Sequence, residues 1–292
     1  MIRLAALNIY PVKSCRGIAL GSALVTAAGL EHDREWMIVT PAGRFLTQRE
    51  EPRLARIAVA LEEGALVLAA DGAGQLRVPV HAGASSSPGG GTAESRPPGR
   101  PIEVTVWHDH CRAIDEGAAA ADWLSTLLGQ PLRLVRLDPT QDRVSDRAWT
   151  GEVEALTRFS DGFALLAIST ASLANLNGRL AEPLPMNRFR PNLVLEGLPP
   201  YGEDELGDLL AGDLRLRRVK PCTRCIITTT DQESGTRSDE EPIRTLKSYR
   251  WNPALKGVTF GQNLIVVAGA GGRLEVGMEL QPLTLLPQTS AP

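Results

Sequence analysis

The 292-residue chain has few aromatic residues, four histidines, only four cysteines and no long apolar run. Four cysteines are too few for the disulfide framework of a secreted domain, which leaves the thiols for metal binding or redox chemistry. Lysine and arginine total 31 against 34 acidic residues, and this balance argues against a nucleic-acid-binding protein. There is no signal-peptide pattern, and no segment reaches the roughly 18 apolar residues of a membrane span. We therefore expect a cytoplasmic protein without nucleic-acid or membrane partners.

Short apolar stretches separated by turn residues run along most of the chain. Residues 57–61 and 65–69, for example, flank Glu62-Glu63-Gly64 as two strands flank a hairpin turn. Apolar residues at the three- and four-residue spacing of a helix are rarer, and residues 118–128 show this pattern most clearly. The β-branched run at residues 226–230 is typical of another strand. The pattern predicts a mainly β (α+β) fold with a few short helices, not alternating βα units.

Two polar segments interrupt this pattern. Residues 82–101 consist largely of glycine, serine and proline and contain almost no apolar side chains. Because burial of apolar surface offsets the entropy of ordering a chain, we predict a flexible insertion there. Residues 138–151 are also polar and include Pro139, and we predict that they join two domains.

Cys222 and Cys225 form a C-x-x-C pair with Lys220 and Arg224 beside them. Neighbouring cations favour the thiolate, which is the form that binds soft metals. The residues alone leave several interpretations open: part of a zinc site, a thioredoxin-like redox pair, one thiolate on a redox-active metal, or plain structural cysteines. Zinc needs about four ligands, and all the histidines lie in the first half of the chain. A thioredoxin-like pair belongs in a βαβ setting, which this pattern lacks.

Several motifs are candidates for binding an anion or a metal. Lys13-Ser14 follows a predicted strand, and its ammonium and hydroxyl groups suit a phosphate, although the glycine spacing is not that of a P-loop. Arg34 and Arg190 each lie near an aromatic residue, and a guanidinium binds phosphate well. Solvated loops and surface ion pairs are the alternatives. His108-Asp109-His110 places two imidazoles on one face of a strand, without an evident third metal ligand.

Seven motifs occur in order along the chain. They are Tyr10-Pro11-Val12-Lys13-Ser14, Asp33-Arg34-x-Trp36, Thr47-Gln48-Arg49-x-x-Pro52-Arg53-Leu54, Asn187-Arg188-Phe189-Arg190-Pro191-Asn192, Cys222-Thr223-Arg224-Cys225, Leu246-Lys247-Ser248-Tyr249-Arg250 and Phe260-Gly261-Gln262-Asn263. This series resembles MOSC proteins that carry a MOSC N-terminal β-barrel domain, the group of the mitochondrial amidoxime-reducing component and its bacterial relatives. The resemblance covers nearly the whole chain outside residues 82–101.

The resemblance implies binding of molybdenum cofactor (Mo-molybdopterin), a pyranopterin dithiolene that carries a phosphate. It makes Cys225 the metal ligand and the catalytic residue, with Cys222 as a neighbour. The implied cofactor contacts are Lys13, Ser14, Arg34, Asp161, Gly162, Arg190, Asn192, Thr223, Arg224 and Asn263. The chain departs from the animal proteins at Phe163, where they carry a small hydroxyl residue.

The resemblance also implies two β-barrel-like domains: a MOSC N-terminal domain over residues 1–137 and a MOSC domain over residues 138–288. The implied activity is reduction of small N-hydroxylated compounds to amines or amidines by oxygen-atom transfer to molybdenum. Because no cysteine follows Cys225, we expect electrons from a separate donor: a flavoprotein reductase, a ferredoxin or a cytochrome b5-like protein. A molybdenum cofactor carrier or sulfur-transfer protein, and a non-catalytic thiol or zinc protein, remain the alternatives.

Overall fold

The computed structural model describes residues 1–80, 99–237 and 239–283. Most of the predicted flexible insertion at residues 82–101, and the end of the predicted second domain, lie outside these ranges. The described residues form 21 strands, four α helices and four short 3-10 helices. The predicted mainly β fold with a few short helices is confirmed.

The strands and helices follow one another in short segments. The strands are β1 (Ile2–Ile9), β2 (Ile18–Leu20), β3 (Ser22–Thr26), β4 (Gly29–Leu30), β5 (Trp36–Val39), β6 (Ala58–Glu62), β7 (Ala65–Ala70), β8 (Gly74–Pro79), β9 (Pro101–Val106), β10 (Asp109–Asp115), β11 (Arg133–Leu137), β12 (Arg143–Val144), β13 (Leu156–Thr157), β14 (Leu165–Ser169), β15 (Leu193–Glu196), β16 (Asp208–Ala211), β17 (Leu214–Thr223), β18 (Trp251–Asn252), β19 (Gly257–Ala268), β20 (Arg273–Glu275) and β21 (Glu279–Leu283). The α helices are α1 (Ala118–Leu128), α2 (Arg147–Thr150), α3 (Thr170–Asn177) and α4 (Ile243–Lys247). The 3-10 helices are Pro52–Arg56, Met186–Phe189, Gly202–Glu205 and Ile226–Thr229.

Seven strands close into a barrel in the order β14, β15, β1, β21, β16, β17 and β19, and β19 pairs again with β14. Neighbours are antiparallel except β14 and β15, which are parallel. Strand β1 comes from the start of the chain, yet it pairs with β15 and β21 from the second half. The first strand therefore belongs to the same sheet as the later ones, and the predicted boundary between residues 137 and 138 stays a prediction.

The barrel core is built from apolar side chains that alternate along the strands. Ile2 and Leu4 of β1 are buried in it, and so are Leu7 and Ile9. The alternation slips by one residue after Leu4, because the pairing of β1 with β15 has a register shift between Leu4 and Ala6. Such a bulge keeps the apolar side chains on the inner face despite their irregular spacing.

The first half forms smaller sheets, of which one has four strands (β5, β11, β10, β9) and another has three (β6, β7, β8). Helix α1 forms at the predicted residues and buries Ala120, Leu124 and Leu128, which repeat every fourth position. Gly129 ends the helix with a φ of 72°, a left-handed value that glycine adopts without a Cβ clash. The helix packs in one core cluster with Trp36.

The predicted strand at residues 226–230 is wrong, because Ile226–Thr229 is a 3-10 helix. The Thr228 hydroxyl donates to the Cys225 carbonyl oxygen at 3.0 Å, and the Thr229 hydroxyl donates to the Ile226 carbonyl oxygen at 2.8 Å. These local hydrogen bonds satisfy backbone carbonyl groups that would otherwise pair with a neighbouring strand. The β-branched composition of the segment did not indicate such bonds. No helix in the described ranges has both the length and the apolar character needed to cross a bilayer.

Candidate functional site

An open cleft is lined by residues from both halves of the chain. It encloses about 830 Å³ of empty space, counting its open mouth. All eleven residues that the sequence analysis named as cofactor contacts or metal ligand line this cleft, although they come from widely separated parts of the sequence. They are Lys13, Ser14, Arg34, Asp161, Gly162, Arg190, Asn192, Thr223, Arg224, Cys225 and Asn263.

The segments that carry these residues meet at one end of the barrel. The second half of β1 pairs with the start of β15, and the start of β15 pairs in parallel with the middle of β14. Strand β17 ends where Thr223 pairs with Thr259, near the start of β19. Most of the site residues lie at or near strand ends: Lys13 and Ser14 after β1, Asp161 and Gly162 before β14, Arg190 and Asn192 before β15, and Thr223, Arg224 and Cys225 at the end of β17. Asn263 lies in the middle of β19.

Lys13 and Asp161 form an ion pair inside the cleft. The Lys13 Nζ atom lies 2.5 Å from an Asp161 carboxylate oxygen and donates to the Phe159 carbonyl oxygen at 2.7 Å. Lys13 is buried, and burial lowers the pKa of its ammonium group, an effect that the Asp161 charge opposes. Desolvation alone would raise the pKa of Asp161, but Lys13 and Arg49 hold it well below its usual range. The Asp161 side chain is 55% exposed, so solvent screens part of this attraction.

Tyr10 lies between two arginines of the cleft. Its ring centroid is 4.3 Å from the Arg34 guanidinium carbon and 4.2 Å from that of Arg190. The Tyr10 hydroxyl donates to the Pro191 carbonyl oxygen at 3.1 Å, and burial raises the pKa of the phenol to about 12. Burial also lowers the pKa of Arg190 to about 10. Because the face of an aromatic ring attracts cations, the Tyr10 ring offsets the repulsion between the two guanidinium groups beside it.

Asn192 connects the Arg34 side of the cleft to the barrel. Its Oδ1 atom accepts hydrogen bonds from Arg34 Nη1 at 3.0 Å and from the Leu166 backbone N–H at 3.1 Å. Its Nδ2 atom donates to the Asn8 carbonyl oxygen at 3.1 Å. Because the oxygen already accepts two bonds, Asn192 positions Arg34 as well as lining the cleft.

The two thiols of the C-x-x-C pair have different surroundings. Cys222 is the last residue but one of β17, and its Sγ atom accepts a hydrogen bond from Arg224 Nη1 at 3.0 Å. Cys225 is half-buried at the start of the 3-10 helix, where its carbonyl oxygen accepts from the Thr228 N–H. Among the described residues, no three or more His, Cys, Asp or Glu side chains lie close enough together to hold a metal ion by themselves.

The other two cysteines lie outside the cleft. Burial raises the pKa of Cys15 to about 12, and it also raises the pKa of Cys111. Both thiols therefore stay protonated and unreactive at neutral pH. The His108-Asp109-His110 motif is exposed, and the Asp109 carboxylate pairs with Arg143 at 2.6 Å.

Positive charge dominates the cleft, which five basic side chains and one acidic side chain line. They are Lys13, Arg34, Arg49, Arg190 and Arg224 against Asp161. In the described part of the chain, neither Arg190 nor Arg224 has a carboxylate within ion-pair distance. Arg49 Nη1 and Arg224 Nε are buried nitrogens without a hydrogen-bond partner among the described residues. Buried donors of this kind call for an acceptor, so the cleft fits a phosphate-bearing group beside a soft thiol ligand.

Three of the cleft residues adopt a left-handed backbone conformation although none is glycine. The φ angles are 69° for Ser14, 49° for Arg34 and 55° for Arg190. Such conformations cost about 1–3 kcal/mol each and persist where surrounding contacts impose them. Their concentration around one cleft is typical of a functional site.

Arg49 and Trp107 both contact Asp161, and neither is among the site residues predicted from the sequence. Arg49 lines the cleft, and its guanidinium lies 4.6 Å from the Trp107 ring centroid and 3.5 Å from Asp161. Trp107 Nε1 donates to the Asp161 carboxylate at 3.3 Å. Arg49 belongs to one of the seven motifs, which was a usable signal, whereas Trp107 lies in a turn with no sequence signal.

Comparison with protein families gives two matches along the chain. Residues 1–131 match the MOSC N-terminal beta barrel domain, and residues 156–281 match the MOSC domain. The cleft is lined by residues from both matched regions. The resemblance seen in the seven motifs is therefore confirmed.

Several curated proteins are similar over most of the chain. Mitochondrial amidoxime-reducing component 1 of Homo sapiens is 37% identical over 84% of this chain and 71% of its own length. Mitochondrial amidoxime reducing component 2 of Bos taurus is 32% identical over 83% of this chain and 70% of its own length. These relatives are mitochondrial by name, so the predicted cytoplasmic location is wrong. A missing sequence pattern does not establish where a protein resides.

The fold, the cleft lining and the comparisons with known proteins all indicate the same family. The first matched region contributes basic cleft residues, and the second contributes the C-x-x-C pair. The chain belongs to the family of MOSC proteins that carry a MOSC N-terminal beta barrel domain, the family of the amidoxime-reducing components.

Proposed function

We propose that the protein is a molybdenum-cofactor-dependent reductase of N-hydroxylated compounds such as amidoximes and hydroxylamines. The observation that carries the proposal is the placement of a half-buried thiol, Cys225, in a cleft with five basic side chains. Two of those side chains, Arg49 and Arg224, have buried nitrogens without a partner among the described residues. The names of the relatives, which refer to amidoxime reduction, support the same reaction class.

Each group of cleft residues has a task in this proposal. Cys225 is the metal ligand, and Lys13, Arg34, Arg190 and Arg224 bind the phosphate of the pterin. When bound, the cofactor would supply a metal centre that is able to accept an oxygen atom from an N–O bond. The cleft residues would hold that group, and the open mouth of the cleft would admit a small substrate.

The reaction needs two electrons and two protons from outside the cleft. We propose that a separate protein donates the electrons, and that it is a flavoprotein, a ferredoxin or a cytochrome b5-like protein. Protons come from water at the open mouth, because Asp161, the one acidic side chain among the described residues that line the cleft, is held ionised by Lys13 and Arg49.

The direct test is to purify the protein with its cofactor and measure benzamidoxime reduction with a chemical or flavoprotein electron donor. We expect molybdenum and pterin in the purified protein and conversion of benzamidoxime to benzamidine. The matched control is Cys225→Ser, which should lack molybdenum and activity. A metal-loaded protein that reduces no N–O substrate would contradict the enzymatic proposal.

A second candidate is a molybdenum cofactor carrier or sulfur-transfer protein, because both thiols of the pair line the cleft. In that case the thiolate of Cys222 or Cys225 in the metal-free protein takes the outer sulfur atom of a persulfide donor, forming a protein persulfide and releasing the donor's thiol. Mass spectrometry of intact metal-free protein distinguishes the two candidates: a mass increase of one sulfur atom supports the carrier, and its absence together with N–O reduction supports the reductase.

A further inference from the structure

Two glutamine side chains from opposite halves of the chain form a reciprocal amide pair behind the cleft. Gln48 Nε2 donates to Gln232 Oε1 at 3.1 Å, and Gln232 Nε2 donates to Gln48 Oε1 at 3.0 Å. The residues are 184 positions apart, and their exposed fractions are 0% and 6%. Neither side chain is part of the cleft lining.

Two of the remaining side-chain hydrogen bonds of this pair go to residues that line the cleft, and the third runs from Gln232 Nε2 to the Thr230 carbonyl oxygen at 3.0 Å. Gln48 Nε2 also donates to the Ser14 carbonyl oxygen at 2.7 Å. Gln232 Oε1 also accepts from Arg190 Nη1 at 3.3 Å. The pair therefore connects Ser14, from the first half of the chain, to Arg190, from the second half.

Both connected residues have backbone conformations that need support. Ser14 has a φ of 69° and Arg190 a φ of 55°, and neither is glycine. Gln232 gives the Arg190 guanidinium a fixed acceptor, and Gln48 gives the Ser14 carbonyl oxygen a fixed donor. These two hydrogen bonds favour the observed backbone conformations over relaxed ones. Without the pair, Ser14 loses the donor to its carbonyl oxygen, and Arg190 loses an acceptor for its guanidinium group.

Neighbouring contacts hold the two glutamine segments together. Arg237 Nη1 donates to the Arg49 carbonyl oxygen at 3.1 Å, and Arg237 Nη2 donates to the Gln48 carbonyl oxygen. Arg237 Nε donates to the Thr230 hydroxyl at 3.0 Å. The loop around Gln48 and the segment around Gln232 thus behave as one unit, so that the amide pair is rigid.

We propose that the Gln48–Gln232 pair is a positioning element that holds Ser14 and Arg190 in the geometry that binds the cofactor phosphate. The inference rests on the proposed function, since it concerns the same cleft. Preorganised donors bind more tightly than mobile ones, because no conformational freedom is lost on binding. The pair acts on the cofactor through Ser14 and Arg190 and does not touch it.

The test compares cofactor retention in the wild-type protein, Gln48→Met, Gln232→Met and the double variant. Methionine has a similar volume but cannot form these hydrogen bonds. We expect each single variant to lose pterin about tenfold faster during dialysis than the wild type. The double variant should lose it no faster than the faster single variant, because the two side chains act as one unit.

Gln262→Met is the matched control. Gln262 is also buried, with an exposed fraction of 1%, but its Nε2 atom donates to Asp204 and its side chain does not line the cleft. This control should lower the thermal midpoint without changing the pterin loss rate. If the methionine variants fail to fold, Gln48→Asn and Gln232→Asn replace them. These variants keep the amide but shorten the side chain, and they should also release pterin faster than the wild type.

The outcomes separate this inference from the proposed function. If Gln48→Met and Gln232→Met retain pterin as well as the wild type does, the inference is overturned and the proposed function stays intact. The same conclusion follows if the increases in loss rate of the two single variants simply multiply in the double variant. A wild-type protein that never retains pterin would overturn both.

Discussion

The Lys13 Nζ atom lies 2.5 Å from an Asp161 carboxylate oxygen, although the two residues are 148 positions apart in the chain. This ion pair brings the loop after β1 against the loop before β14, at the end of the barrel where the cleft lies. Lys13 is buried, whereas Asp161 is partly exposed, so the pair stabilises a charge that burial alone would disfavour.

The first prediction concerns acid stability. The folded-state pKa of Asp161 lies below its unfolded value, so its stabilising contribution is present above the unfolded pKa and is lost as the pH falls toward the folded one. We expect Asp161→Asn to lower stability at neutral pH and to reduce the loss of stability between about pH 4 and about pH 2. Urea unfolding of the cofactor-free protein at several pH values measures both effects.

The control for this prediction is Asp71→Asn, because the Asp71 carboxylate is 91% exposed in a surface ion pair. It should leave the pH dependence of the urea midpoint unchanged. Equal acid sensitivity in the wild type and Asp161→Asn would contradict the assigned role of the Lys13–Asp161 pair.

The second prediction concerns the two thiols. Cys222 Sγ already accepts a hydrogen bond from Arg224, and we propose Cys225 as the metal ligand. Cys225→Ser should therefore retain less than about a tenth of the wild-type molybdenum, whereas Cys222→Ser should retain most of it. Elemental analysis of proteins purified side by side measures the difference. Equal loss in both variants would show that the thiols act as a pair.

The third prediction concerns Tyr10, whose ring contacts both Arg34 and Arg190. Tyr10→Phe removes only the hydroxyl bond to Pro191 and should cost about 1 kcal/mol of unfolding free energy. Tyr10→Leu also removes both cation–π contacts and part of the buried ring, and should cost about 3 kcal/mol. Urea unfolding gives both values.

The same two variants test whether Tyr10 matters to the cleft as well as to stability. Tyr10→Leu should release pterin faster than Tyr10→Phe, because only the former frees the two guanidinium groups from the ring. Identical pterin retention in the two variants would assign the ring a purely structural role.

The fourth prediction concerns a charge cluster away from the cleft. Asp208 is fully buried and binds Arg215 and Arg217. Asp208→Asn should cost about 3 kcal/mol of unfolding free energy, because it leaves two partly buried guanidinium groups without their counter-charge. Pterin retention should not change. The matched control is Glu62→Gln in an exposed ion pair with Arg77, which should cost less than about 1 kcal/mol.

Local patterns in the sequence predicted some elements closely. Helix α1 occupies residues 118–128 as predicted, because its apolar spacing and the glycine that follows both act within a few residues. The hairpin predicted at residues 57–61 and 65–69 forms within one residue at each end, as β6 and β7. The run at residues 226–230 was misread, since threonine hydroxyls bonded to nearby carbonyl groups there instead of joining a sheet.

The site residues that line the cleft were proposed mainly from ordered motifs, not from residue chemistry. Composition and spacing left the C-x-x-C pair open to several interpretations, and the family resemblance selected one of them. Trp107 and the Gln48–Gln232 pair could not be predicted, because their role depends on contacts across long stretches of sequence. Such contacts are decided by packing, which no local pattern encodes.

The sequence by itself determined a mainly β fold, a near-neutral charge balance and a family, because strand patterning, composition and short motifs are local properties. Only the tertiary structure decided that β1 closes a barrel with strands of the second half, and that eleven dispersed residues line one cleft. It also decided which cations in the cleft have counter-charges: Lys13 does, and Arg224 has none among the described residues. Pairing of charges depends on distances in space, and only the folded chain sets those distances.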